Sequence, residues 1–156
     1  MKATFVAAYL ASLLSPGRGI PFDIPGSQAT LDMQFDDDAQ LLVMTTKVPS
    51  GTHLGFGWGA DMFETSMFSW HADGDDSWTQ ELYSERNGYP PERETGCYTT
   101  DFQVLDEHVE FTTKRALDCG PESFVVKLEE QIPLCSSWKD VPYLSFHGDN
   151  AVAFSC

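Results

Sequence analysis

The sequence predicts an all-β chain, an antiparallel immunoglobulin-like β-sandwich of about nine to ten strands. Three observations lead there. Short runs alternate apolar and polar residues, clusters of Gly, Pro and Asp separate them, and no stretch carries the apolar repeat of a long helix. With 156 residues, 42% hydrophobic and 13% aromatic, the chain suits one domain with a filled core.

The amino end stands apart from this pattern. Lys2 precedes the apolar stretch 3–14, and Ser15-Pro16-Gly17 breaks it. That is the make-up of a secretory signal peptide, too short to span a bilayer. The expected division is a signal peptide over residues 1–19 and one sandwich domain over 20–156. No later stretch is long and apolar enough to cross a membrane, so the expected location is extracellular.

Strand candidates follow in order. Residues 30–35 alternate, Asp36-Asp37-Asp38 turn the chain, and 40–48 resume the alternation up to Pro49-Ser50-Gly51. Residues 53–58 and 63–70 are next, closed by the polar run 71–76, and 78–84 precede the Gly- and Pro-containing loop 85–96. Residues 97–105 and 109–117 read as a hairpin turning at Asp106-Glu107; 123–132, 143–147 and 151–155 complete the set. The two Asp clusters read as solvated turns, since neither matches a calcium-binding loop.

Charge narrows the function. The formal net charge of −15 leaves nothing to neutralise a phosphate backbone, which excludes nucleic acid as a partner. It equally disfavours an anionic membrane surface. Four cysteines in an exported chain imply two disulfides, and no C-x-x-C spacing suggests zinc or dithiol chemistry. In the 97–117 hairpin Cys97 faces a residue near 116, close to Cys119, which leaves Cys135 for Cys156. Each bridge is worth about 3 kcal/mol by loop-closure reasoning.

Two blocks carry the chemistry. In HLGFGWGADMFETSMFSW (53–70), Gly55, Gly57 and Gly59 interrupt a strand, which marks a bulge or a close backbone approach, and Met62 follows. In YLSFHGDN (143–150), His147 ends a short apolar strand before a glycine. These blocks, with the pair LDMQF and LLVMTTKV, the loop ELYSERNGYPPE and the strand FTTKRALDCG in the same order, resemble the DOMON domain family. The resemblance covers roughly residues 28–155. Its haem-binding branch is similar to the cytochrome domain of cellobiose dehydrogenase and to plant apoplastic b-type cytochromes.

The resemblance implies a secreted one-electron carrier rather than a catalyst, holding haem b non-covalently between Met62 and His147. Thioether and imidazole are sound axial ligands, and Met/His ligation raises the reduction potential. No C-x-x-C-H is present to tether the group covalently. Phe56, Trp58, Phe68 and Phe146 flank these ligands in sequence and are the expected pocket walls. Met67 is the competing ligand, and Met33 and Met44 are expected core. His53, His71 and His108 stand singly at strand ends or turns and are expected to be solvated; their spacing does not support a copper site. The implied partners are a redox protein or a small extracellular reductant. The alternative is a sugar- or ligand-binding module, or a structural subunit of an extracellular assembly, on the same fold without haem. Exposed Trp58, Trp70 or Trp78 would then stack on a pyranose ring.

Overall fold

The computed structural model describes residues 20–24, 26–59, 63–86, 90–120, 123–127, 134–141 and 152–155, with backbone alone at 20–22, 135 and 152–155. Its strands are β1 (Ile20–Asp23), β2 (Thr30–Asp36), β3 (Leu41–Pro49), β4 (His53–Gly57), β5 (Thr65–His71), β6 (Trp78–Ser84), β7 (Tyr98–Val104), β8 (His108–Ala116), β9 (Cys135–Lys139) and β10 (Val152–Ser155). They form two five-stranded antiparallel sheets, ordered β1-β2-β3-β8-β7 and β10-β9-β4-β5-β6. The expected all-β sandwich is the observed one.

Side-chain phase explains the layering. Along β2 the buried residues are Leu31, Met33 and Phe35, and along β3 they are Leu42, Met44, Thr46 and Val48. A period of two puts each set on one face, and the β2–β3 register pairs Leu31 with Thr46 and Met33 with Met44. β8 adds Val109 and Phe111, and the second sheet answers with Leu54, Phe56, Phe68 and Trp70. Each fully buried side chain of this size contributes about 1.5–3 kcal/mol.

Two strands fall outside the sequence expectation. β1 contains Pro21, which removes a ladder donor; the strand survives because it lies at the sheet edge. β9 reads Cys-Ser-Ser-Trp-Lys, whose serines carry little strand signal, yet it pairs residue for residue with β4. Residues 123–127, expected to start a strand, have no regular structure. The expected strand over 143–147 lies outside the described residues.

The 97–117 hairpin is as expected: Tyr98 pairs with Arg115 and Val104 with Val109. That register brings Cys97 to Cys119, and the two are bridged with Cα atoms 5.5 Å apart. The Cys135–Cys156 pairing lies outside the described residues. Replacing Cys97 and Cys119 by serine together is expected to cost 2–5 kcal/mol on the order of magnitude known for native bridges of small domains. Urea unfolding of the double variant reads this directly, and an unchanged midpoint would contradict it.

Candidate functional site

In the second sheet β4 and β5 are buried on both faces. Along β4 all five residues, His53 to Gly57, are buried, and along β5 all but Ser66 are. Their even-numbered residues join the core between the sheets. The odd-numbered residues His53, Gly55, Gly57, Met67, Ser69 and His71 line the outer face, where the first sheet does not reach. A strand shielded on both faces loses the apolar–polar alternation, and the near-continuous run of small and apolar residues from 54 to 59 is its trace.

Glycine at position 55 has a specific cause. Its backbone pairs regularly with Ser69 on one side and Ser137 on the other, without a bulge. A Cβ there would lie 2.7 Å from Ser137 Oγ. Close approach, the second of the two readings of this glycine run, is the observed one.

The outer face is polar where the sequence suggested solvent. His71 is fully buried and His53 is 3% exposed, so both are core histidines rather than solvated ones; His108 is half-buried. Their rings stack with centroids 5.4 Å apart, since the strand register places them opposite each other. His53 Nδ1 donates to the Val141 carbonyl at 2.9 Å. His71 Nε2 meets Ser69 Oγ at 2.8 Å, and its ring lies parallel to Trp78 at 4.5 Å. That bond holds Val141, just beyond β9, against the outer face.

Phe56, Trp58 and Phe68 come together, on the inner side of the same strands. Phe56 meets Trp58 edge-on at 4.8 Å, and Phe68 stacks on Tyr98 at 4.4 Å. Trp58 and Trp70 are 3% and 0% exposed, which removes both as stacking surfaces for a sugar; Trp78 is half-buried against His71. Met67 lies on the outer face, cross-strand from Leu82, and Met33 and Met44 are core as expected. Met62, Phe146 and His147 lie outside the described residues.

The sequence reading missed a cation. Arg115 is fully buried. Its Nε donates to Tyr98 Oη at 2.9 Å, Nη1 to the carbonyls of Ala116 (3.0 Å) and Leu117 (3.4 Å), and Nη2 to Ser123 Oγ (3.3 Å) and the Phe124 carbonyl. The guanidinium also sits over Trp58 at 5.0 Å. No carboxylate pairs with it among the described residues. The signal was present in β8, where Val109, Phe111, Thr113 and Arg115 share one phase and the first three point inward.

Tyr98 Oη accepts a second bond, from Trp58 Nε1 at 2.9 Å. Burial holds its phenol above the ordinary range, and the charge of Arg115 offsets this only in part. The native protein therefore keeps the phenolic proton longer than the unfolded chain. Stability is full below the ordinary tyrosine pKa of about 10 and falls as pH rises past it. Urea midpoints measured from pH 8 to 11 should drop above pH 10, and Tyr98→Phe should flatten that drop; a profile identical in both proteins would refute the assignment.

Beside this network a cleft of about 390 Å³ opens along Ser66, Tyr83 and Arg93, with Trp58, Ser123 and Phe124 at its base. Trp58 and Phe124 stack at 5.5 Å, and the Arg93 guanidinium lies 4.7 Å from the Tyr83 ring centre. Glu64 stands at the exposed rim.

Neither a protein-family model nor a curated protein matches the chain. A solved structure does: the cytochrome domain of Myriococcum thermophilum cellobiose dehydrogenase, with a TM-score of 0.61 over 80% of this chain and 68% of that one. The chain has the fold of that domain. At 15% identity the likeness is one of architecture. It agrees with the DOMON resemblance at that level.

Proposed function

We propose that the chain is a secreted haem module that carries single electrons, with haem b held non-covalently between Met62 and His147. The observation that carries the reading is the fold, which is shared with a cytochrome domain.

The residues fit the group in chemistry and in attachment. In the sequence Met62 falls between β4 and β5, and His147 between β9 and β10. β4, β5 and β9 are adjacent strands, so both segments hang on one rigid unit. The donation from His53 to Val141 holds the last described residue after β9 at the outer face, which supports this arrangement. Thioether and imidazole suit low-spin iron, and the bound group supplies one-electron exchange between ferric and ferrous states. Phe56 and Phe68 back the floor from the inner side, Trp58 sets the root of the methionine turn, and Phe146 belongs to the wall.

Secretion fits the Cys97–Cys119 bridge and the start of β1 at Ile20, directly after the proposed signal peptide over residues 1–19. The electron partner is a separate redox protein or a small reductant, and a net charge of −15 favours a basic docking face on a protein partner. One measurement tests the reading. The purified protein, reconstituted with haem b, should give a low-spin absorption spectrum that sharpens on dithionite reduction. Absence of haem uptake would reject it in favour of a ligand-binding or structural module.

A further inference from the structure

We infer that the open edge of β7 takes up an extended, basic segment of a partner protein as an added strand. The inference stands on the edges of the two sheets and holds whether or not haem is bound.

The end strands of the two sheets are β1, β7, β10 and β6. A sheet edge presents a row of unpaired amides and carbonyls that pair readily with another chain, and proteins ordinarily blunt it. Here β1 carries Pro21 and is four residues long, and β10 is equally short. The outer side of β6 is covered by residues 91–93: Tyr83 N donates to the Pro91 carbonyl at 3.1 Å, and Arg93 N to the Glu81 carbonyl at 2.9 Å. β7 differs. It runs for seven residues, Tyr98–Val104, without proline or lysine, and pairs residue for residue with β8 on one side. No described segment bonds to its other side, and residues 101–104 are all exposed.

Side-chain phase decides what an added strand meets. Tyr98, Thr100, Phe102 and Val104 share the inner face. Tyr98 stacks on Phe68, Thr100 bonds to Thr113 at 3.0 Å, and Phe102 packs on Phe111 at 5.8 Å. The core covers the start of this row but not its end, since Phe102 is 42% exposed and Val104 39%. At the other end, Tyr98 and Thr100 line a cleft of about 290 Å³ between the sheets, with Glu81, Glu92 and Glu94 around it. A bond of 2.7 Å from the Thr95 amide to Oε2 holds Glu81 in place. Asp101 adds an exposed carboxylate on the outer face. Lys114, in register with Thr99, is exposed on that outer face, away from the cleft.

Charge then chooses the occupant. A second copy would bring two bodies of net charge −15 together edge to edge, and Asp101 opposes that pairing at close range. The same carboxylates attract a segment carrying lysine or arginine. In strand addition, main-chain bonds supply affinity and alternate side chains supply specificity. The pattern this edge reads is therefore basic beside Thr100 and Asp101, and apolar beside Phe102 and Val104.

The test uses the full-length chain and a short synthetic peptide of lysine, threonine and valine, built to that pattern in antiparallel register. One control carries glutamate in place of lysine. Another carries N-methyl groups on neighbouring central amides, which removes a main-chain donor from each of its edges. Amide shifts followed by NMR during titration read the binding. The lysine peptide should bind saturably, with shifts centred on residues 99–104, and each control at least tenfold more weakly. Glu92→Gln combined with Glu94→Gln should weaken the lysine peptide at least threefold. The unfolding midpoint should stay within a degree or two of wild type, since both side chains are exposed. Equal binding of the N-methylated peptide would overturn strand addition. Equal binding of the glutamate peptide, or undiminished affinity in the double variant, would overturn the charge selection. Absence of saturable binding, or shifts confined elsewhere, would overturn the site. Sedimentation of the protein alone should show a monomer; a dimer with shifts along β7 would give the edge to a second copy instead. Haem uptake is scored in a separate experiment, so either proposal can fail alone.

Discussion

Replacing His147 by alanine is expected to abolish the low-spin haem spectrum and to weaken haem retention by at least an order of magnitude. Without a C-x-x-C-H tether, coordination and packing are all that hold the group, and imidazole is the stronger of the two proposed ligands. The sandwich should survive, because its core rests on β2, β3, β4, β5 and β8. Met62→Ala should be milder, keeping haem but lowering its potential, since the thioether favours the ferrous state. Absorption spectra and haem titration, with circular dichroism as the folding control, separate these outcomes. A wild-type spectrum in His147→Ala would remove the histidine from the site.

Arg115→Met should have the largest effect on stability of any single substitution considered, about 3–5 kcal/mol. The change keeps much of the stem volume but strands the carbonyls of Ala116, Leu117 and Phe124 and leaves Tyr98 Oη with one donor fewer. Buried acceptors that lose their partners bear their full desolvation cost. Arg115→Lys should recover only part of the loss, because an ammonium cannot reach several acceptors in a fixed fork. Urea titration at neutral pH measures both variants. A loss below about 1 kcal/mol in Arg115→Met would mean that water replaces the lost donors.

Sequence patterning exposed the first sheet more fully than the second. β2, β3 and β8 bury one face, so Leu31, Met33 and Phe35, or Val109 and Phe111, fall in a clean period of two. Hairpin register then sufficed to pair Cys97 with Cys119. The second sheet hides more because β4 and β5 are shielded on both faces, which turns His53 and His71 from expected surface residues into buried ones. β9 escaped notice because Ser136 and Ser137 take their places from β4 rather than from any preference of their own. The glycine run and the phase of Arg115 in β8 were legible signals of the candidate site. The depth of the cation was not, since burial of a charge is set by Tyr98, Ser123 and Phe124, which come from β7 and the loop beyond β8.

The doubly shielded β4 also sets how the molecule breathes. Its amides and carbonyls are paired with β5 on one edge and β9 on the other, and neither face meets solvent. Their hydrogen exchange is therefore expected to be the slowest in the sheet, while edge strands such as β7 exchange through smaller openings, as amide exchange followed by NMR would show.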